Sequence, residues 1–231
     1  MKRLSAMLIE VIVLVAIAGF AAGAQKPGTA QRVSAQGVIA AAQQSELNSV
    51  LHQRAVAAGG KLEEVRDADA AKFAADLPSL VSRSKEILLV HDVTNCGGLS
   101  AAGDKVLAHI DVEVLKSWKG PHKAGDLVTF WVPAGGLVFR DRTQAGRRVK
   151  SFSGFRDGGR YVLFLYSTIS SENGQSSPSL WLVGDGVQGA FLVDEEKVYP
   201  VYEQGAVWKT YNQQAVPEFL AELDGLTAGQ R

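Results

Sequence analysis

The sequence predicts a mainly β protein with flanking α-helices, in which several short strands form a small barrel or a sandwich. Three observations lead to this prediction. The segment Gly158–Tyr166, GGRYVLFLY, is apolar on both faces of a strand, as is typical of a strand in the middle of a sheet. From Lys85 onwards apolar residues recur with a period of two, and turn residues separate the apolar segments. Before Lys85 and after Pro217 the apolar residues recur at helical spacing.

The composition limits the classes of function. Lys+Arg and Asp+Glu number 24 each, so the net charge is zero and no overall field favours nucleic acid as a partner. A chain of 231 residues can bury a substantial core. It needs one, because Cys96 is the only cysteine and no internal disulfide can form.

Residues 1–24 have the pattern of a secretory signal peptide. Lys2 and Arg3 supply the positive charge, Val11–Ala22 is the apolar run, and the small residues at 22–24, AGA, form the cleavage site. We therefore expect an exported protein, secreted or periplasmic, whose mature chain begins at Gln25 and has no membrane span.

Glu10 interrupts that apolar stretch and supports an alternative. The segment Leu8–Phe20, LIEVIVLVAIAGF, resembles the N-terminal helix of type IV pilins and pseudopilins, in which a glutamate follows the cleavage site by five residues. With a cut after Ser5, Glu10 takes that position, although Ser5 and Ala6 stand where these proteins usually have glycine and phenylalanine. The resemblance implies a filament subunit, and it too implies export.

Residues 25–78 are predicted to form a helical and partly flexible region. Apolar residues at helical spacing predict one or two helices within Thr29–Ala58, which Gly59 and Gly60 end. A further helical segment is predicted over Ala68–Ala75, and a short helix over Ser79–Ser84.

Residues 79–204 are predicted to form the β-barrel domain, and residues 205–231 a C-terminal helix and tail. The helix is expected to begin around Pro217 and to end at Gly225. Three linking segments are predicted: a glycine-rich hairpin link at Asn95–Asp104, a charged turn at Arg140–Arg148 and a mobile polar loop at Ser167–Ser179. The predicted strands are Ile87–Val93, Val106–Leu115, Leu127–Val132, Leu137–Phe139, Val149–Phe152, Arg160–Tyr166, Ser179–Val183, Val187–Val193 and Val198–Tyr202.

The order of these segments resembles the netrin-like domain. The matching stretches are VLKSWKG, GD-x-V, GGRYVLFLY and VGDGVQGAF, within Leu80–Val193. The resemblance implies a small antiparallel barrel of the OB type, as in tissue inhibitors of metalloproteinases and in many exported bacterial proteins of unknown role. Those inhibitors reach the protease zinc through a cysteine at the mature N-terminus, which this chain lacks. Protease inhibition by that route is therefore not implied. A role as a netrin-like protease inhibitor or accessory protein stays an alternative.

Glycines at positions 184, 186 and 189 match the G-x-G-x-x-G fingerprint of dinucleotide sites by letter. A phosphate site needs a helix N-terminus after these glycines, whereas Ala190–Val193 predicts a strand. We therefore expect turn or bulge glycines there. No G-x-S-x-G, H-E-x-x-H or Walker pattern occurs in the sequence, and we expect neither catalytic residues nor a cofactor.

Three potential metal ligands, His91, Cys96 and His109, lie on one predicted hairpin. If the register placed His91 opposite His109, the two imidazoles and the thiolate could share a zinc or copper ion. The spacing matches no standard ligand motif, so solvent-facing side chains are the interpretation that we adopt.

Five basic residues gather in one stretch: Arg140, Arg142, Arg147, Arg148 and Lys150. They are either the solvated tip of a hairpin or a surface that binds an anion or a glycan. We predict an exported, non-catalytic binding domain whose partner is an unidentified protein or an anionic glycan, and whose candidate site is this cluster. The protease-inhibitor role, the pilin-like subunit and an unrecognised hydrolase are the alternatives.

Overall fold

A computed structural model of the chain describes residues 46–100, 102–172 and 175–229. The signal peptide, the pilin-like segment and the first part of the predicted helical region lie outside the described residues. None of the described helices is long and apolar enough to cross a membrane. The strands are β1 (Lys61–Arg66), β2 (Glu86–Leu99), β3 (Val106–Lys119), β4 (Leu127–Val132), β5 (Gly135–Val138), β6 (Gln144–Val149), β7 (Tyr161–Glu172), β8 (Gln175–Leu182), β9 (Ala190–Asp194), β10 (Lys197–Pro200) and β11 (Gln214–Ala215). The helices are α1 (Val50–Ala57), α2 (Leu77–Arg83), α3 (Gly205–Tyr211) and α4 (Val216–Ala228).

Five strands form a partly closed barrel in the order β7–β2–β3–β4–β8, because β8 pairs both with β4 and with β7. The pairs are antiparallel except β4 with β8, which run parallel where Trp131 lies opposite Trp181. Strands β2, β3 and β4 are consecutive, and β7 returns to lie beside β2, which is a Greek-key order. A five-stranded, partly open Greek-key barrel is the OB-type architecture. The predicted mainly β fold with an OB-like barrel and flanking helices is confirmed.

The two faces of β7 belong to two separate cores. Tyr161, Leu163 and Leu165 point into the barrel, where they pack with apolar residues of β2, β3 and β4. Val162 and Phe164 point outwards, and pack with residues of α2, α4 and β9. All five side chains are buried, so the prediction that this strand is buried on both faces is confirmed.

The hydrophobic core outside the barrel, to which Val162 and Phe164 belong, explains the positions of the C-terminal elements. Strands β9, β10 and β11 extend the sheet from the edge of β7, and α4 covers them with Phe219 and Leu223. As predicted, α4 carries a proline in its first turn. It does not end at Gly225, because Thr227 is also buried and continues the stripe that packs on the sheet.

A small second sheet, in the order β1–β6–β5, stands beside the barrel, with β1 parallel to β6. Helix α1 covers it, and Leu51 of that helix packs with Phe139 and Ala145. The sheet touches the barrel backbone directly, since a Cβ on Gly97 would lie 1.7 Å from the carbonyl oxygen of Gly136. Only glycine therefore fits at position 97 of β2.

Two predicted loops and one predicted helix are wrong. Strand β2 continues to Leu99, so the hairpin link is limited to residues 100–105. Within the segment predicted as a mobile loop, residues 167–172 belong to β7 and residues 175–179 to β8, whose backbone pairing does not depend on apolar side chains. The helix predicted over Ala68–Ala75 is a single 3-10 turn at Ala70–Lys72.

Candidate functional site

The five basic residues do not form one hairpin tip. Arg140 and Arg142 lie exposed in the turn between β5 and β6, as predicted. Arg147 and Arg148 lie within β6, and Lys150 follows it. Consecutive residues of a strand point to opposite faces, so Arg147 and Arg148 diverge. The predicted turn over Arg140–Arg148 is therefore too long, since β6 begins at Gln144, and the cluster is divided between a turn and a strand.

Three of the five nevertheless line a common cleft of about 630 Å³, between the small sheet and the barrel. Arg147, Arg148 and Lys150 contribute its charge. We call it the apolar cleft, because most of its other walls are apolar or backbone. Its apolar lining residues are Val65, Ala108, Val132, Ala134, Val149, Phe152 and Phe155.

Two of these cations have carboxylate partners. Arg148 Nε lies 3.3 Å from Glu63 Oε1, and Lys150 Nζ lies 3.0 Å from Asp67 Oδ1. All four side chains are about half exposed or more, so the pairs are screened and contribute little to stability. These two ion pairs reduce the net positive charge at the edge of the apolar cleft, and they bury none of the four charges.

Arg147 differs from its neighbours. Its side chain is half-buried, its Nε is buried without a hydrogen-bond partner, and its guanidinium forms no ion pair with a described residue. Burial and the nearby Arg66 lower the pKa of Arg147, and the carboxylates of Glu64, Asp104 and Asp185 partly oppose that shift. An arginine stays charged in a protein, so this position holds a partly desolvated cation with free donors.

Arg147 also lines a second cleft of about 600 Å³, between the tip of the β2–β3 hairpin and the base of the β7–β8 hairpin. We call it the aromatic cleft, because Tyr166 and Trp181 form part of its wall. Its other side chains that matter here are Arg66, Lys105, Pro133 and Asp185. Arg147 thus stands between the two clefts and faces both.

Asp185 neutralises the other buried cation of this region. Its carboxylate accepts hydrogen bonds from Arg66 Nη1 at 2.6 Å, from the Asp69 amide at 2.9 Å and from Lys72 Nζ at 3.1 Å. Burial acts to raise the pKa of Asp185, but the hydrogen bonds from Asp69, Arg66 and Lys72 outweigh it, and the pKa lies below its usual value. Arg66 is therefore paired, whereas Arg147 has no such partner among the residues described.

The glycine-rich loop that carries Asp185 is a turn, as predicted, and β9 follows it. Gly184, Asp185 and Gly186 have φ values of 72°, 57° and 78°. Within the same loop the Gln188 side chain accepts from the Ala74 amide at 2.7 Å and donates to the Ala74 carbonyl at 3.0 Å. The loop therefore holds the segment between β1 and α2 against the barrel, a role that the sequence pattern did not indicate.

The register that a metal site on the β2–β3 hairpin would require is not present. In the β2–β3 hairpin His91 lies opposite Glu113, and His109 lies opposite Cys96, so the two imidazoles do not face each other. Across residues 46–100, 102–172 and 175–229, no group of three or more His, Cys, Asp or Glu side chains is placed to hold a metal ion.

Comparisons with protein-family models, with curated proteins and with solved structures find no match to this chain.

Proposed function

We propose that the protein is a non-catalytic binding domain that takes an acidic ligand at Arg147. The observation that carries this proposal is the half-buried guanidinium of Arg147, which lies between two clefts without a hydrogen-bond or ion-pair partner among the described residues. Its planar fork of N–H donors suits a carboxylate, a sulfate or a phosphate, which it binds in bidentate fashion.

Energetics favour an anion at this position. A partly desolvated cation beside a second cation, Arg66, destabilises the protein in the absence of a ligand. An anion that binds Arg147 removes this cost, and such binding stabilises the folded state. Because Arg148 and Lys150 are paired with Glu63 and Asp67, the attraction comes mainly from Arg147, and salt screens it within about 10 Å at 0.1 M ionic strength.

The proposal can be tested by a titration followed by NMR. Acetate, sulfate and D-galacturonate are added to ¹⁵N-labelled protein, and the Nε–Hε signals of the arginines are recorded. We expect saturable shifts of the Arg147 signal for at least one of these anions. The shifts should weaken as sodium chloride rises from low to physiological concentration.

Two variants distinguish this site from a general attraction to positive charge. Arg147→Gln should abolish saturable binding, whereas Arg140→Gln should leave it intact, because Arg140 is exposed in the β5–β6 turn and lines neither cleft. Equal loss in both variants, or none in either, would contradict the proposed site.

A further inference from the structure

Four ring-bearing side chains lie next to one another across the outer face of the barrel. The strand registers place His109 of β3 opposite Trp131 of β4, Trp131 opposite Trp181 of β8, and Trp181 opposite Tyr166 of β7. We call this set the aromatic row. Neighbouring strands are about 4.8 Å apart, so the row spans about 15 Å.

The row faces outwards. On β3 and β4 the residues on either side of His109 and Trp131 point into the barrel core, so these two rings point away from it. All four members are half-buried, which means that each exposes part of its surface to solvent. The His109 and Trp131 rings meet edge to face, with centroids 5.5 Å apart, and this contact orders that end of the row.

The other end of the row enters the aromatic cleft. Trp181 and Tyr166 line that cleft together with Arg66, Lys105 and Arg147. Arg66 is paired with Asp185, and Lys105 Nζ lies 3.5 Å from Asp104 Oδ2. Of the three cations in the cleft, Arg147 is therefore the one without a carboxylate partner in the part of the chain that the structure describes.

We propose that the ligand of the Arg147 site is an acidic oligosaccharide that lies across the aromatic row and places one carboxylate on Arg147. This inference rests on the proposed function and adds the ligand class to it. The C–H faces of pyranose rings pack on Trp and Tyr rings, which offer a large apolar surface and a polar edge. A chain of sugars can thus extend from the cleft over Trp181 and Trp131.

The polar neighbours of the row also suit a sugar. On the same outer face, Asp111 lies two residues from His109, and Thr129 lies two residues from Trp131. Thr129 Oγ1 donates to Asp111 Oδ1 at 2.6 Å. Carboxylate and hydroxyl groups of this kind accept hydrogen bonds from sugar hydroxyls.

The same neighbours disfavour single-stranded nucleic acid, which also stacks on aromatic rings. Its binding requires several cations along a phosphate backbone. Here Asp104, Asp111 and Glu113 flank the row on β3 or its hairpin, and would repel phosphates. One unpaired cation beside several carboxylates matches a ligand that is mostly neutral and carries isolated acidic groups.

Calorimetric titrations with a series of one to six sugar units test this inference: glucuronate alone, and then β-1,4-glucose oligosaccharides that each end in a single glucuronate. We expect the affinity of the wild type to rise by about tenfold or more from the monomer to the hexamer, as additional rings reach the row. In Trp131→Ala, and independently in the milder variant Trp131→Leu, hexamer affinity should fall towards the monomer value. Trp208→Ala is the matched control, because Trp208 lies on α3, outside the aromatic row, and lines neither cleft.

The other possible outcomes show which of the two proposals fails, the oligosaccharide inference or the proposed function. Acid binding that shifts the Arg147 signal but does not strengthen with chain length would overturn the oligosaccharide inference and leave the proposed function standing. Tighter binding of an oligodeoxythymidylate than of the acidic hexasaccharide would overturn it in favour of nucleic acid. Neutral cellohexaose that binds as tightly as the acidic hexasaccharide would remove the role of Arg147. Absence of Arg147-dependent binding for every acid tested would overturn both proposals.

Discussion

Leu163 and Phe164 are adjacent in β7 and lie in different hydrophobic cores. Leu163 points into the barrel, while Phe164 points to the opposite face, where its ring lies 5.6 Å from that of Phe191. The backbone of Phe164 also bonds to the glycine-rich loop and the residue before it. Its amide donates to the Gly189 carbonyl at 2.7 Å, and its carbonyl accepts from the Val183 amide at 2.9 Å. This strand therefore joins the barrel to the helical layer and to the glycine-rich loop.

Truncation at either residue should destabilise the whole domain. Phe164→Ala is expected to cost about 3–5 kcal/mol and Leu163→Ala about 2–5 kcal/mol, through lost burial and a cavity. Domains of this kind have a total stability of about 5–15 kcal/mol, so both effects should be large in urea unfolding. Leu127→Ala is the control, because that leucine is 81% exposed and its truncation should change stability by less than about 0.5 kcal/mol. An unfolding midpoint unchanged in Phe164→Ala would contradict the two-core description.

Gln188 should be required to hold the Arg66–Ala74 segment. In Gln188→Leu both the amide and the carbonyl of Ala74 lose their partner in a buried position, at a cost of about 1–3 kcal/mol for each group. We expect lower stability in urea unfolding, together with faster hydrogen exchange of the Ala74 amide. Gln53→Leu is the matched control on the exposed surface of α1, and it should alter neither measurement.

Asp185 should contribute to the loss of stability in acid. Its pKa in the folded protein lies below the usual 3.8, so its contribution is present above about pH 4 and is lost as the pH falls through the folded value. The stability difference between wild type and Asp185→Asn should therefore be largest at neutral pH and shrink towards pH 3. Urea unfolding at a series of pH values measures this difference. A difference that is the same at every pH would show that these contacts are not linked to proton binding.

Much of the barrel follows from local sequence pattern. The period of two in Val106–Leu115 and the apolar run of GGRYVLFLY identify β3 and β7, and Leu127–Val132 is β4 with the bounds that its pattern predicts. These segments can be predicted because the side chains that each one buries follow from the pattern of apolar residues within that segment. By contrast β1, KLEEVR, has four charged residues in six and forms a strand by pairing in parallel with β6, far along the chain.

The candidate site could be predicted only in part. The local concentration of basic residues identifies Arg147, Arg148 and Lys150 as candidates. Which of them is paired and which is half-buried depends on strand direction and register. Val65 is opposite Arg148 and Glu64 is opposite Arg147, a pairing that no local signal reveals. The aromatic row similarly requires the registers of four strands at once, and β2 and β3 alone contain three register shifts.

The N-terminal processing that the sequence predicts is open to direct measurement. We expect a secretory signal peptide to be removed after Ala24, which leaves Gln25 as the first residue of the mature chain. Intact-mass analysis of protein recovered from the medium or periplasm would show this. A chain that starts at Ala6 with a methylated amine would support the pilin-like alternative instead.

Removal of the Arg147 charge should separate ligand binding from stability. Because its guanidinium is half-buried beside Arg66 and unpaired among the described residues, Arg147→Leu should leave the ligand-free protein as stable as the wild type, or more stable by about 1 kcal/mol. The same variant should lose galacturonate binding. Arg66→Leu is the contrasting variant, since it removes one of the three hydrogen-bond partners of the half-buried Asp185 carboxylate and should destabilise the protein clearly. Urea unfolding without ligand, beside the NMR titration, measures both properties. A loss of stability in Arg147→Leu equal to that in Arg66→Leu would show that Arg147 supports the fold, and would remove the energetic argument for an anion at this position.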